Sequence, residues 1–173
     1  MRTHRALAVA VALTAAAGLW GPAALAGTPG DQDETFVVAA HQSNLSEIAA
    51  GQDAGRHAES TCVKEAGARL VADHTKLDSE LTALAGKLGI ELPTAPTAEQ
   101  QQKLKEVQEE AGTPEYDDAW LVAQESGHDL TLELIDKQID EGQNAEVTAA
   151  AEKARPIVAM HLDMVRDGTC HSM

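Results

Sequence analysis

The chain has 173 residues, with 13 Lys and Arg against 28 Asp and Glu, a formal charge of −15 and 2% aromatic residues. An acidic surface of this kind repels nucleic acid and anionic lipid, which argues against both as partners. It suits a metal cation or a basic or cell-wall partner.

Arg2, His4 and Arg5 open the chain, an Ala/Val/Leu run follows from Ala6 to Leu19, and Ala24-Leu25-Ala26 supplies small residues where a signal peptidase reads. Residues 1–26 therefore read as a signal peptide, cleaved after Ala26. The run is too short and too Ala-rich to span a membrane comfortably, and no other stretch approaches the required length. The mature chain, 27–173, is expected to be secreted or extracytoplasmic, about the size of one domain with one core. Losing Arg2 and Arg5 lowers its charge by two, to −17. Cys62 and Cys170 form an even pair in an oxidising compartment, which reads as a disulfide. They lack the CxxC spacing of a thiolate metal site.

Ala, Leu, Val, Glu and Gln dominate the mature chain without β-branched alternation, so the expected class is all-α. A first helix is expected over 34–57, with Asp33 as its N-cap and with Gly51 and Gly55 weakening its end. A second, over 61–88, carries Val63, Ala66, Leu70, Leu77, Leu81 and Leu84 at three- and four-residue intervals, with Ser60 or Thr61 before it and Gly89 after it. Residues 89–113 are a long connection in which Thr97-Ala98-Glu99-Gln100 forms a capping box for a short polar helix. Thr113-Pro114 reads as a cap with proline at the first helical position, opening a third long helix over 114–141. The last covers 145–167, and Pro156 is expected to kink it, freeing a carbonyl one turn earlier. Short links within each helix pair and a crossover between the pairs describe a ferritin-like four-helix bundle of two antiparallel hairpins. A Cys62–Cys170 bond requires that crossover, because a simple up-down bundle leaves the two positions roughly 40 Å apart.

Asp33 to Phe36, Ser46-Glu47-Ile48, Asp73-His74, Tyr116-Asp117, His128 and Pro156-Ile157-Val158-Ala159-Met160-His161 together resemble a family of exported bacterial proteins. Its members have a ferritin-like domain of unknown function and are often labelled predicted outer membrane proteins. The resemblance covers about 33–167. It implies the four-helix fold and export, and no reaction. The alternating strands of an outer-membrane barrel are absent from the sequence.

Each long helix carries one histidine in or beside its apolar stripe: His41, His74, His128 and His161. By spacing, His74, His128 and His161 face inward and His41 lies at the stripe edge. Counted from the shared end of a crossover bundle, His74 and His128 fall roughly 20 Å down, Glu47 and Glu125 about 15–17 Å, His41 about 24 Å and His161 only about 9 Å. A mononuclear centre for zinc, copper or nickel would use Glu47, His74, His128 and His161, with Glu125 and His41 as second choices. A carboxylate di-metal centre needs two Glu-x-x-His motifs, and Glu125-Ser126-Gly127-His128 is one without a second. The alternative is a set of hydrogen-bonded core histidines, with His74 on a carboxylate such as Glu47 and His161 on the carbonyl freed by Pro156. Asp73 reads as solvated or capping a neighbour, and His57 and His171 as exposed turn histidines.

No nucleophile constellation, phosphate loop or zinc-protease motif is present, so no catalytic residue is assigned. The sequence favours an exported binding or envelope-maintenance module over an enzyme. A metal-binding or metal-buffering protein using interior His and Glu is the first alternative, and a divergent metal-dependent oxidoreductase the second.

Overall fold

The computed structural model describes residues 28–171, and the expected signal peptide lies outside them. The described residues form five α-helices and no strand: α1 (Asp31–His57), α2 (Thr61–Leu88), α3 (Ala98–Gln108), α4 (Tyr116–Glu141) and α5 (Ala145–Val165), with a 3-10 turn at Arg166–Gly168. No helix among them is long and apolar enough to cross a membrane.

Local chemistry sets most of the ends. The Ser60 side chain accepts the Val63 N–H at the start of α2. Gly89 closes that helix in the left-handed region, at φ 73°, where a Cβ would be strained. Thr97 and Gln100 form the expected capping box of α3. Two boundaries differ from expectation. α1 starts three residues earlier, with Gly30 rather than Asp33 as N-cap: Asp33 stands at the third helical position, where its carboxylate accepts the Gly30 N–H at 2.9 Å. α4 starts at Tyr116, after Pro114, since the Thr113 hydroxyl reaches back to the Glu110 carbonyl instead of capping forward.

Neighbouring helices run antiparallel: Asp33 meets Gln138 while the later Ser43 meets the earlier Thr131, and Lys87 meets Glu146 while the earlier Glu80 meets the later Lys153. Asn44 meets His74 between α1 and α2, and Ser43 meets Thr131 between α1 and α4. Glu80 meets Lys153 between α2 and α5, and Asp136 meets Arg155 between α4 and α5. Cys62 and Cys170 lie at disulfide distance, with Cα atoms 6.1 Å apart. Along the α1–α2 seam, a Cβ on Gly67 would sit 2.8 Å from Ala54 Cβ and 2.9 Å from the Gly51 carbonyl oxygen. Glycine is what allows the two backbones to approach so closely there. Gly51 thus serves the packing of α1, which continues past it to His57.

Each hairpin turn is held by an aspartate of the other hairpin. Asp117 of α4 accepts the N–H groups of Glu59 and Ser60 at 3.0 and 2.8 Å. Asp33 of α1 accepts those of Gln143 and Asn144, both at 3.1 Å, together with the Gln138 amide at 2.7 Å.

The interior is divided lengthwise. One apolar cluster, around Leu70, Tyr116, Trp120, Leu121 and Met164, lies towards the disulfide. Another, around Phe36, Val37, Leu81, Ile135 and Val147, fills the opposite half. Between them lies a buried polar layer.

Candidate metal centre

All four helices of the α1–α2 and α4–α5 pairs contribute to that layer. α1 supplies Asn44 and Glu47 three residues apart, α2 supplies His74, α4 supplies Gln124 and His128 four residues apart, and α5 supplies His161. These spacings put each same-helix pair on one inward face. The three imidazoles are each at most 1% exposed, with ring centroids 5.1 Å (His74–His161), 5.5 Å (His128–His161) and 5.9 Å (His74–His128) apart.

One nitrogen of every ring is anchored. His128 Nδ1–H donates to the Gln124 carbonyl at 2.8 Å, and His74 Nδ1–H to Asn44 Oδ1 at 2.9 Å. His161 Nε2–H donates to the Asp73 carboxylate at 2.9 Å. Because those partners are acceptors, each anchored nitrogen carries the proton and the other nitrogen holds a lone pair. Those other nitrogens, His74 Nε2, His128 Nε2 and His161 Nδ1, are buried and have no hydrogen-bond partner. The three residues can each offer a ring nitrogen within 4.8 Å of the others, the one such group among the described residues.

The electrostatics keep these lone pairs available. Burial is the largest influence on His74, and the neighbouring His161 and His128 add to it, pushing its pKa down to about 2. Burial likewise lowers His161 to about 4, although the hydrogen bond it donates to Asp73 pulls the other way. Both rings are therefore neutral at physiological pH, the form that binds metal. Asp73 is disfavoured as an anion by burial, but Arg69 and His161 outweigh this and lower its pKa. Glu47 has its pKa raised by burial, against an opposing pull from His128, and its Oε2 is also buried without a partner. A Cβ on Gly127 would sit 3.3 Å from Glu47 Oε1, so glycine leaves room for that carboxylate.

The structure thus brings His74, His128 and His161 together, with Glu47 beside His128. It separates the second choices. His41 is engaged at both nitrogens, by Asp78 at 2.7 Å and by the Pro93 carbonyl at 2.9 Å. Glu125 accepts the Asp167 and Gly168 N–H groups instead of facing the rings. That contact also corrects the depth expected for His161. α5 stops level with the third turn of α4, and the chain continues through the 3-10 turn to Cys170, so His161 lies level with the other two rings. Two expected partners differ as well: His74 bonds to Asn44 rather than Glu47, and His161 to Asp73 rather than a carbonyl near Pro156. Asp73 is accordingly a partner of the layer and not a solvated acid. His57 and His171 are exposed, as expected. Asn44, Gln124 and Gly127 were not singled out from sequence. The only sequence signal for the first two was polar residues at inward positions one turn from Glu47 and His128.

A family model described as Domain of unknown function (DUF4142) matches residues 21–167. No curated protein and no solved structure matches the chain.

Proposed function

Since the chain belongs to the DUF4142 family, whose description assigns no function, its role must be read from its own side chains, and we propose that it binds one divalent transition-metal ion. The ligands are His74 Nε2, His128 Nε2 and His161 Nδ1; Glu47 lies outside that group of three, and its buried, unpartnered carboxylate oxygen would have to move in to complete the set. The observation that carries this reading is the convergence of three buried, unpartnered imidazole nitrogens whose opposite nitrogens are all anchored. A proton-carrying nitrogen fixed to a carbonyl or carboxylate is the usual outer support of a metal-bound histidine. Three imidazoles and a carboxylate without thiolate suit zinc, copper(II) or nickel. Bonds of about 2.0–2.1 Å require the rings to draw inward by under about 1 Å.

This places metal binding ahead of the bare binding or envelope-maintenance module expected from sequence. A di-metal oxidoreductase is not proposed, since the only Glu-x-x-His motif directs its Glu125 to the Asp167–Gly168 turn. We further read the antiparallel neighbours and the long α2–α4 connection as the ferritin-like crossover bundle. Export is proposed from the signal-like start and the cysteine pair at disulfide distance.

The test is titration of metal-stripped mature protein with Zn2+, Cu2+ and Ni2+, with elemental analysis after dialysis, beside a His74→Ala/His128→Ala variant. One equivalent in the parent and none in the variant is expected. Failure of the parent to retain any of the three metals sinks the reading, as does undiminished binding by the variant.

A further inference from the structure

A cavity of about 280 Å³ opens between α2 and α5, with Asn44, the partner of the His74 ring, in its wall. Its origin is legible in α5. Ala149, Ala150 and Ala154 line it opposite Leu77 and Leu81 of α2, so short side chains leave a space that larger ones would fill. The cavity is partly open to solvent, with Ala149 exposed and Leu77, Ala150 and Ala154 half-buried.

The wall chemistry is restrictive. Thr131 already donates to the Gly127 carbonyl at 2.8 Å and meets Ser43 at 3.0 Å, and Asn44 Oδ1 already holds His74. At the mouth, Glu80 is paired with Lys153 at 2.6 Å and Glu146 with Lys87 at 2.6 Å. The opening therefore offers no unpaired charge to an ionic headgroup, and most of the lining is apolar. An enclosed apolar cavity of about 150 Å³ takes up benzene, and this partly open one is larger. This one has room for a ring with a short substituent.

We propose that the cavity is a binding site for a small uncharged hydrocarbon-like molecule, of the bulk of an alkylbenzene, entering between α2 and α5. It is a site separate from the three imidazoles and does not depend on a metal being bound. Asn44 is a wall of the one and the anchor of the other, so a guest is felt at His74.

The experiment uses metal-free mature protein labelled at alanine methyls, titrated with toluene and, as charged comparators, hexanoate and hexylammonium. Saturable shifts of the Ala150 and Ala154 methyls with toluene are expected, accompanied by a shift of the His74 ring signals. Filling the space by Ala154→Leu, or by Ala150→Leu should the first variant fail to fold, is expected to weaken toluene binding at least tenfold. The idea is overturned by an absence of saturable shifts in the parent, or by unchanged affinity in a folded filled variant. Preference for hexanoate or hexylammonium also overturns it, since the guest would then be an ion held by Lys153 or Glu80. Because the metal is absent throughout, failure here leaves the metal reading to its own titration.

Discussion

α1 carries two buried carboxylates under two turns apart that meet opposite circumstances. Asp53 accepts from the Tyr116 hydroxyl at 2.7 Å, and from the Gln108 amide and Arg56 at 2.9 Å each. Glu47 and the Gln124 amide each have a buried oxygen with no partner, and each of the three rings has a buried nitrogen with none. The Asp53 region shows that this bundle can satisfy a buried acid completely where three helices need tying together. All five unpartnered buried atoms among the described residues belong to the other layer. Leaving a buried polar group unsatisfied costs about 1–3 kcal/mol, and the concentration of such groups in one layer is what motivates the metal-binding proposal.

The sharpest way to break the contrast is to remove both kinds of partner. His74→Ala/His128→Ala is expected to abolish metal retention altogether while leaving the metal-free protein folded, read by elemental analysis and circular dichroism. Asp53→Ala should do the reverse. It strands the Tyr116 hydroxyl and the Gln108 amide and is expected to cost about 3 kcal/mol in denaturant unfolding, with metal stoichiometry unchanged. Equal losses of metal in the two variants would erase the distinction.

Metal itself supplies the next effect. An ion at one hundred times its dissociation constant is expected to stabilise the folded state by about 2.7 kcal/mol, raising the melting temperature by about 5–10 °C. Acid works in the opposite direction on the metal-free protein. His74 and His161 have folded pKa values lowered to about 2 and about 4, so the unfolded chain takes up protons first. Stability is then lost as pH falls below the ordinary histidine value of about 6.5 and on through 4. Urea midpoints measured between pH 7 and 4 check this, and a flat profile would falsify the assignment of neutral buried rings. The smallest effect is that of an anchor: Asn44→Ala is expected to weaken metal affinity by about tenfold or somewhat more, with one equivalent still bound at saturation.

What the sequence made legible was local. Ser60 and Gly89 bracket α2 at both ends, and the three inward histidines follow from counting turns against Leu70, Leu132 and Ile157. What it hid was set by residues far apart in the chain. Asp73 looks solvated until α5 brings His161 to it across 88 residues. Glu125 looks like a ligand until the turn after α5 claims its carboxylate. The depth of His161 was misjudged because helix spacing says nothing about where α5 stops relative to α4. The carboxylate of Asp33 accepts the Gly30 N–H at the start of its own helix, as a third-position acid rather than the N-cap, and also reaches a turn more than a hundred residues away.

That exchange of aspartates has a consequence for how the chain comes apart. Asp33 secures the turn of the second hairpin and Asp117 that of the first, so neither hairpin contains everything its own turn requires. A single nick in the connection near Pro96 would leave two pieces that each lose the cap at their bend, yet carry the cap the other lacks. Mixed together they are expected to act as complementary halves, and the intact chain to unfold as one cooperative unit built from two mutually dependent ones.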